Sequence, residues 1–398
     1  MPLYGVVMPN RRRWTILAVG TLAQAATCSF LYGIPMLVPA LRSQQHLSLL
    51  GSSLLVSAPI VGLLLTLVAW GAAADRFGER IVIAVGVGTA AVLLGATPLA
   101  AGPAALGALL ALAGAAGASV NAASGRVVMG WFPVHERGLA MGARQTAQPL
   151  GVAIAALVLP ALADAHGVGA ALLFPAALCA LAAVAVLALV RDPARPIRPA
   201  VRASSPYRGS WHLGRVHLAS SLLVVPQFAV ATFTLVYLVG QRHWDPATAG
   251  RMIFGFQVAG AAGRVASGVW SDRVRSRLRP MRQLAMISAA LMMALALGAA
   301  LHTGAILVAF ALGAVVTVAD NGLGYTAVAE LAGVEWSGRA LGLQNTVQNL
   351  AAVATAPLLA VVIGNSRYSL GFAVVAVAAL VAIPVTPVQA KRRAVRDL

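Results

Sequence analysis

Two charged residues stand in surroundings that ought to exclude them. Arg264 lies in AGAAGRVASGVW and Asp320 in AVVTVADNGLGY, runs otherwise made of small and apolar residues. If both segments are helical, Arg264 lies about 12 Å from Asp272 and Asp320 about 15 Å from Glu330. Measured from those charged ends, the two side chains reach a similar depth. A guanidinium is a planar fork of donors that suits a carboxylate or a nitrate. An aspartate at that depth, desolvated unless paired, is a candidate proton carrier. Protonating Asp320 would release Arg264 to take an anion, coupling proton and anion in one step. The competing reading is a permanent Arg264–Asp320 bridge that serves packing alone.

A wider set of polar residues shares this setting. Arg144 lies about 10 Å inside Arg137 by helical rise. It can complete a two-arginine clamp, or run its stem back to the interface. Gln24, Cys28 and Tyr32 share one helical face; Gln344 and Gln348 share another, with Asn345 and Asn349 beside them. Asn121, Gln145, Gln148, Asn321 and Tyr325 complete the set of candidate substrate contacts. Each alone can be glue between helices, and their concentration predicts a polar pathway. No catalytic residue, metal ligand or cofactor site is legible. The seven histidines are scattered, without metal-ligand spacing on one helix. Cys28 and Cys179 sit in apolar runs and read as small buried hydrophobes. A Walker-type motif is absent, which excludes ATP-driven transport in this chain.

The elements that must hold these residues are membrane helices. The 398 residues are 60% hydrophobic and only 10% charged, with a mean hydropathy of +0.84, far from a soluble composition. The net charge of +18 does not indicate nucleic acid, because the arginines cluster in short connections between apolar runs. About 20 apolar residues cross a hydrocarbon core. Twelve segments reach that length: 14–38, 48–70, 81–100, 104–130, 138–163, 168–190, 216–240, 248–270, 283–302, 304–332, 339–364 and 368–389. The first apolar run is too long for a signal-peptide core and is read as the first span. The expected fold is an all-α membrane protein of twelve transmembrane helices in two pseudo-symmetric six-helix bundles.

With both termini in the cytoplasm, the basic residues obey the positive-inside rule. Arg11–Arg13, Arg76, Arg80, Arg137, Arg273, Arg275, Arg277, Arg279, Arg282, Arg339, Lys391, Arg392, Arg393 and Arg396 then face inward, with the arginines of 191–215. Arg42, Arg242 and Arg367 fall outside, and Arg251 at an outer helix end. Trp14, Trp70, Trp131, Trp211, Trp270 and Trp336 fall at inner helix ends, where such rings favour the interface. The proline- and arginine-rich stretch 191–215 reads as a cytoplasmic linker between bundles at 1–190 and 216–398.

The halves also resemble each other. Gly71 and Asp75–Arg76 recur as Gly268 and Asp272–Arg273, an offset of 197 (272 − 75). GARQTAQPL at 142–150 recurs as GLQNTVQNL at 342–350, an offset of 200 (342 − 142), which also relates Asn121 to Asn321. At this point GAAADRFGERIVI resembles the loop motif G-x-L-a-D-R-x-G-R-k of the major facilitator superfamily. Gly71, Asp75, Arg76, Gly78 and Arg80 match; Ala73 replaces the leucine and Glu79 a basic residue. GVWSDRVRSR is a weaker second copy without the second glycine. The resemblance covers the whole chain. It implies a cytoplasmic gate of Gly71, Asp75, Arg76, Gly78, Arg80, Gly268, Asp272 and Arg273, joined by Arg126, that locks the bundles in the outward-facing state.

G-R-x-x-x-G-x-x-S-D-R around Arg264 resembles the eighth helix of anion-carrying branches, including oxalate/formate antiporters and monocarboxylate transporters, where the arginine contacts the anion. Nitrate transporters add a second-helix arginine and glycine-rich signatures that are missing here. The leading expectation is therefore a secondary active transporter of a small carboxylate-like anion, proton-coupled or exchanging, in the cell inner membrane. Expected partners are that substrate, a proton or counter-anion and the bilayer, with no nucleic acid and a monomeric state. The alternative is proton-coupled efflux of amphipathic or drug-like compounds; its fifth-helix signature is represented only by Gln148–Gly151, and the positive intramembrane charge disfavours cations.

Overall fold

The computed structural model describes residues 10–44, 47, 49–193, 205–208, 210–244, 246–333, 335–364 and 367–388. Arg195, Arg198 and Arg202 of the expected linker lie outside the described residues, as do Lys391, Arg392, Arg393 and Arg396. Among those described there is no strand. The helices are α1 (Asn10–Leu31), α2 (Leu49–Phe77), α3 (Glu79–Gly95), α4 (Pro103–Trp131), α5 (Arg137–Arg144 then Ala147–His166) and α6 (Val168–Ala171 then Leu173–Leu189). After the connection come α7 (His212–Gly240), α8 (Pro246–Arg273), α9 (Leu278–Ala300), α10 (Ala305–Ala319 then Asn321–Ala332), α11 (Ser337–Ile363) and α12 (Tyr368–Val385). Eleven stretches within them are long and apolar enough to cross a membrane. The remaining long helix is α8, whose apolar character is diluted by Gln257, Arg264 and several glycines.

Backbone packing divides the chain into two compact units, Met1–Ala203 with Ala332–Thr346 and Ser204–Leu331 with Val347–Leu398. In the first, α4 packs along α2 and α3, and α6 packs on α1 and α3. In the second the pairings return six helices later: α10 with α8 and α9, and α12 with α7 and α9. The sequence repeat is thus a repeat of helix neighbours. Phe30, Leu63, Leu67, Val87, Leu94 and Leu110 are buried in the first core. An aromatic group of Tyr237, Phe310, Tyr368 and Phe372 fills the second, with ring centroids 5.2–5.7 Å apart.

Three helices are interrupted. In α5 the break at Gln145–Thr146 precedes Pro149, which has no N–H for the Gln145 carbonyl; Pro175 does the same to Ala171 in α6. The break in α10 at Asp320 has no proline. There the hydroxyl of Ser267 in α8 donates to the Ala319 carbonyl at 2.6 Å, a side chain inserted into the helical ladder. One expectation is corrected: the Gly71–Arg76 and Gly268–Arg273 stretches are not loop. They form the last turns of α2 and α8, where Arg76 and Arg273 complement the negative helix end. Gly78, at φ 97°, then turns the chain. Arg275, which stands where the second copy lacks that glycine, keeps a left-handed φ of 50°.

Candidate functional site

The first unit carries a closed set of buried polar groups. Gln24 of α1 donates to the Asn121 side chain of α4 at 3.0 Å. Ser124, one turn further along α4, donates to Gln24 at 3.3 Å and accepts from Nε of Arg144 at 2.7 Å. Arg144 also donates to the Asn121 carbonyl at 3.1 Å and to Gln145 at 3.4 Å. Its side chain is only 1% exposed, so it does not run back to the interface. The break in α5 explains this, since it directs Arg144 and Gln145 toward α4. Asn345 of α11 donates to the Asn121 carbonyl at 3.3 Å. Gln344 is fully buried beside it, whereas Tyr32 and Gln148 are half-buried.

The second unit carries the counterpart. Asn321 of α10 donates to Gln227 of α7 at 3.0 Å. Asp320, at the break in α10, is 2% exposed; its Oδ2 receives no hydrogen bond among the described residues. The Arg264 guanidinium on α8 acts on it electrostatically. Arg264, Tyr325 and Gln348 are all buried. A guanidinium and a carboxylate are thus both buried within this unit, the carboxylate at the break in α10.

At one end of the first unit lies a charged cluster. Asp75 accepts from the backbone N–H groups of Gly338 at 2.9 Å and Arg339 at 3.1 Å, in the first turn of α11. This is a carboxylate capping the positive end of a helix. Arg126 of α4 bonds Asp75 and reaches Glu79 at 2.8 Å. A Cβ on Gly71 would collide with the Gly338 carbonyl, and one on Gly338 with Gly71 and Asp75. The glycines set this approach. Arg76 is exposed over the ring of Phe77. Arg80 turns away, donating to the Leu187 carbonyl in the last turn of α6.

In the second unit Arg277 bonds Asp272 at 2.5 Å, Ser271 at 2.8 Å and Glu330 at 3.3 Å; Gly268 is buried and Arg273 exposed. Both units thus hold one arginine between an aspartate and a glutamate, with the donors exchanged. The first residue of α3 gives Glu79 and α4 gives Arg126 in the first; the residue just before α9 gives Arg277 and α10 gives Glu330 in the second.

The Major Facilitator Superfamily profile matches residues 17–356 and again 216–395. The chain belongs to that superfamily. It is accordingly a multi-pass membrane transporter and not an enzyme. It is 44% identical over 383 residues, 95% of this chain and 85% of the relative, to Rv2994 of Mycobacterium tuberculosis H37Rv, described as an uncharacterized MFS-type transporter. MT3072 of strain CDC 1551 matches to the same extent. Among solved superfamily structures, the human organic anion transporter MFSD10 aligns with a TM-score of 0.73 at 17% identity, covering 95% of this chain and 100% of that one. The outward conformation of FucP aligns at 0.72 and 16%, covering 93% and 97%. The proton:xylose symporter XylE aligns at 0.71 and 14%, covering 94% and 95%.

Superfamily membership brings a small-molecule substrate but not its identity. Several contact residues escaped the sequence reading. Ser124 and Ser267 are too common in apolar helices to stand out. Gln227 had a signal, its offset of 203 from Gln24 (227 − 24), but it sits outside the longer matching stretches. Arg277 aligns with Arg80 at the offset of 197 (277 − 80).

Proposed function

We propose that this superfamily member is a secondary active transporter of a small carboxylate-like organic anion, coupled to protons or to anion exchange. The observation that carries the reading is Arg264, buried about two-thirds of the way along α8 and acting electrostatically on Asp320 at the break in α10. An arginine at such depth is costly unless it faces a polar site. Asp320 holds the guanidinium when ionised and gives it up to a substrate carboxylate when protonated. Gln24, Tyr32, Asn121, Arg144, Gln145, Gln148, Asn321, Tyr325, Gln344, Asn345 and Gln348 are the accompanying polar wall. The Asp75–Arg126 cluster acts as the cytoplasmic gate, with both termini on that side of the cell inner membrane, as the arginine distribution supports. The solved relatives, at 14–17% identity, share the fold alone and do not choose the substrate.

Uptake into proteoliposomes under an imposed pH gradient tests this. A panel of mono- and dicarboxylates runs beside cationic dyes, comparing wild type with Arg264→Gln. Carboxylate uptake that the variant loses supports the reading. Dye movement without carboxylate uptake, unaffected by Arg264→Gln, overturns it in favour of an exporter.

A further inference from the structure

Arg80 matches the gate motif, yet its side chain does not join the gate. Its Nε, at 3.1 Å, and its Nη2 both donate to the Leu187 carbonyl. This holds the guanidinium against the last turn of α6, where the residue stays exposed. Four residues further on, Arg191 is exposed too, and no described residue accepts from its side chain. Its backbone is fixed: the Arg191 carbonyl accepts from the Trp131 indole at 3.0 Å, and Pro193 packs on Gly130. The acids of the same two stretches are already engaged. Glu79 is buried against Arg126 at 2.8 Å, and Oδ1 of Asp192 accepts the Arg80 backbone N–H at 2.8 Å. The charge that this end of the α3–α6 pair presents outward is therefore positive.

Beside these arginines runs an apolar face. Ile81, Val85, Gly88 and Val92 follow one another at helical spacing on α3. Leu181, Val184 and Leu187 lie on α6, and all six of these larger side chains are exposed. Between them the two helices meet through small residues, since a Cβ on Gly88 would already touch Ala183 at 3.7 Å. The result is a shallow groove with branched walls and a floor of glycine and alanine. In a membrane-spanning unit such a face meets acyl chains. Guanidinium groups fixed at the helix end beside it suit a phosphate, which accepts their planar fork of donors. We propose that the α3–α6 face binds one anionic phospholipid. Its phosphodiester is held by Arg80 and Arg191, and an acyl chain lies along Val85, Gly88 and Val184. Trp131, half-buried at the same end, takes the interfacial position common for such rings. This site is independent of the substrate, of Arg264 and of Asp320.

Native mass spectrometry of the full-length protein tests it, with phosphatidylglycerol titrated against phosphatidylcholine of the same chains. Wild type is expected to hold one phosphatidylglycerol more tightly than any further copy, and more tightly than phosphatidylcholine. Arg191→Gln should weaken that lipid about fivefold, and Arg80→Gln with Arg191→Gln about thirtyfold. Arg279→Gln with Arg282→Gln removes the same charge from exposed positions of the second unit and should leave the lipid bound. Equal losses in the two double variants would reduce the binding to net charge, and equal affinity for phosphatidylcholine would reduce it to the chains. Either result overturns the site. Inorganic phosphate at matched concentration should displace nothing; displacement would make this a site for free phosphate and overturn the lipid. Arg191 loses no described side-chain partner on substitution, so its variant decides the matter if Arg80→Gln does not fold, and unchanged binding there overturns the proposal.

Discussion

Asn321 donates from Nδ2 to Oε1 of Gln227 at 3.0 Å, and the first unit repeats the pairing between Gln24 and Asn121 at the same distance. In one the asparagine of the fourth helix of the unit donates; in the other the glutamine of the first helix does. The same pair of side-chain amides therefore ties the same two helices in each unit. The positions differ by 203 and 200 residues (227 − 24 and 321 − 121), so the chain has kept the contact while the spacing shifted.

A paired amide in an apolar interior leaves its partner stranded when removed. Gln227→Leu is expected to cost about 1–2 kcal/mol, the penalty for an unsatisfied buried amide. The double variant Gln227→Leu with Asn321→Leu should cost less than the sum of the singles, with a coupling of about 0.6–1.7 kcal/mol. Unfolding of the detergent-solubilised protein measures both. Strict additivity would mean that the two amides do not act as a pair.

The Asp75 cap depends on a glycine as much as on a charge. Gly338→Ala puts a methyl group into Gly71 and Asp75 and is expected to cost about 1–3 kcal/mol, as overpacking does. Asp75→Asn keeps the shape but loses both the charge facing the helix end, about 0.3–1 kcal/mol, and its side of the buried Arg126 ion pair, about 3 kcal/mol. Thermal unfolding should rank Asp75→Asn below Gly338→Ala. The opposite order would make the close approach, and not the charge, the dominant part of the contact.

Most of the fold was legible because bilayer thickness is a strong constraint. Long apolar runs and their basic ends mark helices such as α4 and α9 within a few residues. The polar candidates were also legible, since Arg264, Asp320, Arg144 and Asn121 stand out against alanine, valine and leucine. What did not show was backbone behaviour. The break in α10 comes from Ser267 on another helix, which no local pattern encodes. Asp75–Arg76 looked like loop because charge usually ends a span, yet α2 carries them in its final turn. Side-chain partners were hidden for a similar reason: Asp192 accepts the Arg80 backbone N–H only once α6 has packed beside α3.

Arg275 occupies the turn position that Gly78 fills in the first copy, with φ of 50°. A side chain in the left-handed region costs roughly 1–2 kcal/mol relative to ordinary backbone. Arg275→Gly is therefore expected to stabilise the protein by about 1 kcal/mol, after the added freedom of the unfolded glycine is deducted. In a chain of this size that corresponds to a rise of about 1 °C in Tm. A fall in Tm would show that the arginine side chain contributes more than its backbone strain takes away.

The last prediction separates proton coupling from substrate binding. If Asp320 exchanges Arg264 for a proton, Asp320→Asn is fixed in the neutral state and leaves Arg264 permanently available to an anion. Such a variant should no longer accumulate carboxylate in response to an inward proton gradient. It should still catalyse exchange of internal for external carboxylate, because that half of the cycle moves no net proton. Accumulation and counterflow in the same proteoliposomes give the two readouts. Loss of accumulation with at least half of the counterflow retained, about the resolution of a twofold comparison, is expected for a coupling aspartate. Loss of both, in a variant that unfolds like wild type, would instead make Asp320 a structural anchor for Arg264. Retention of both would mean that protons are carried elsewhere in the chain or not at all.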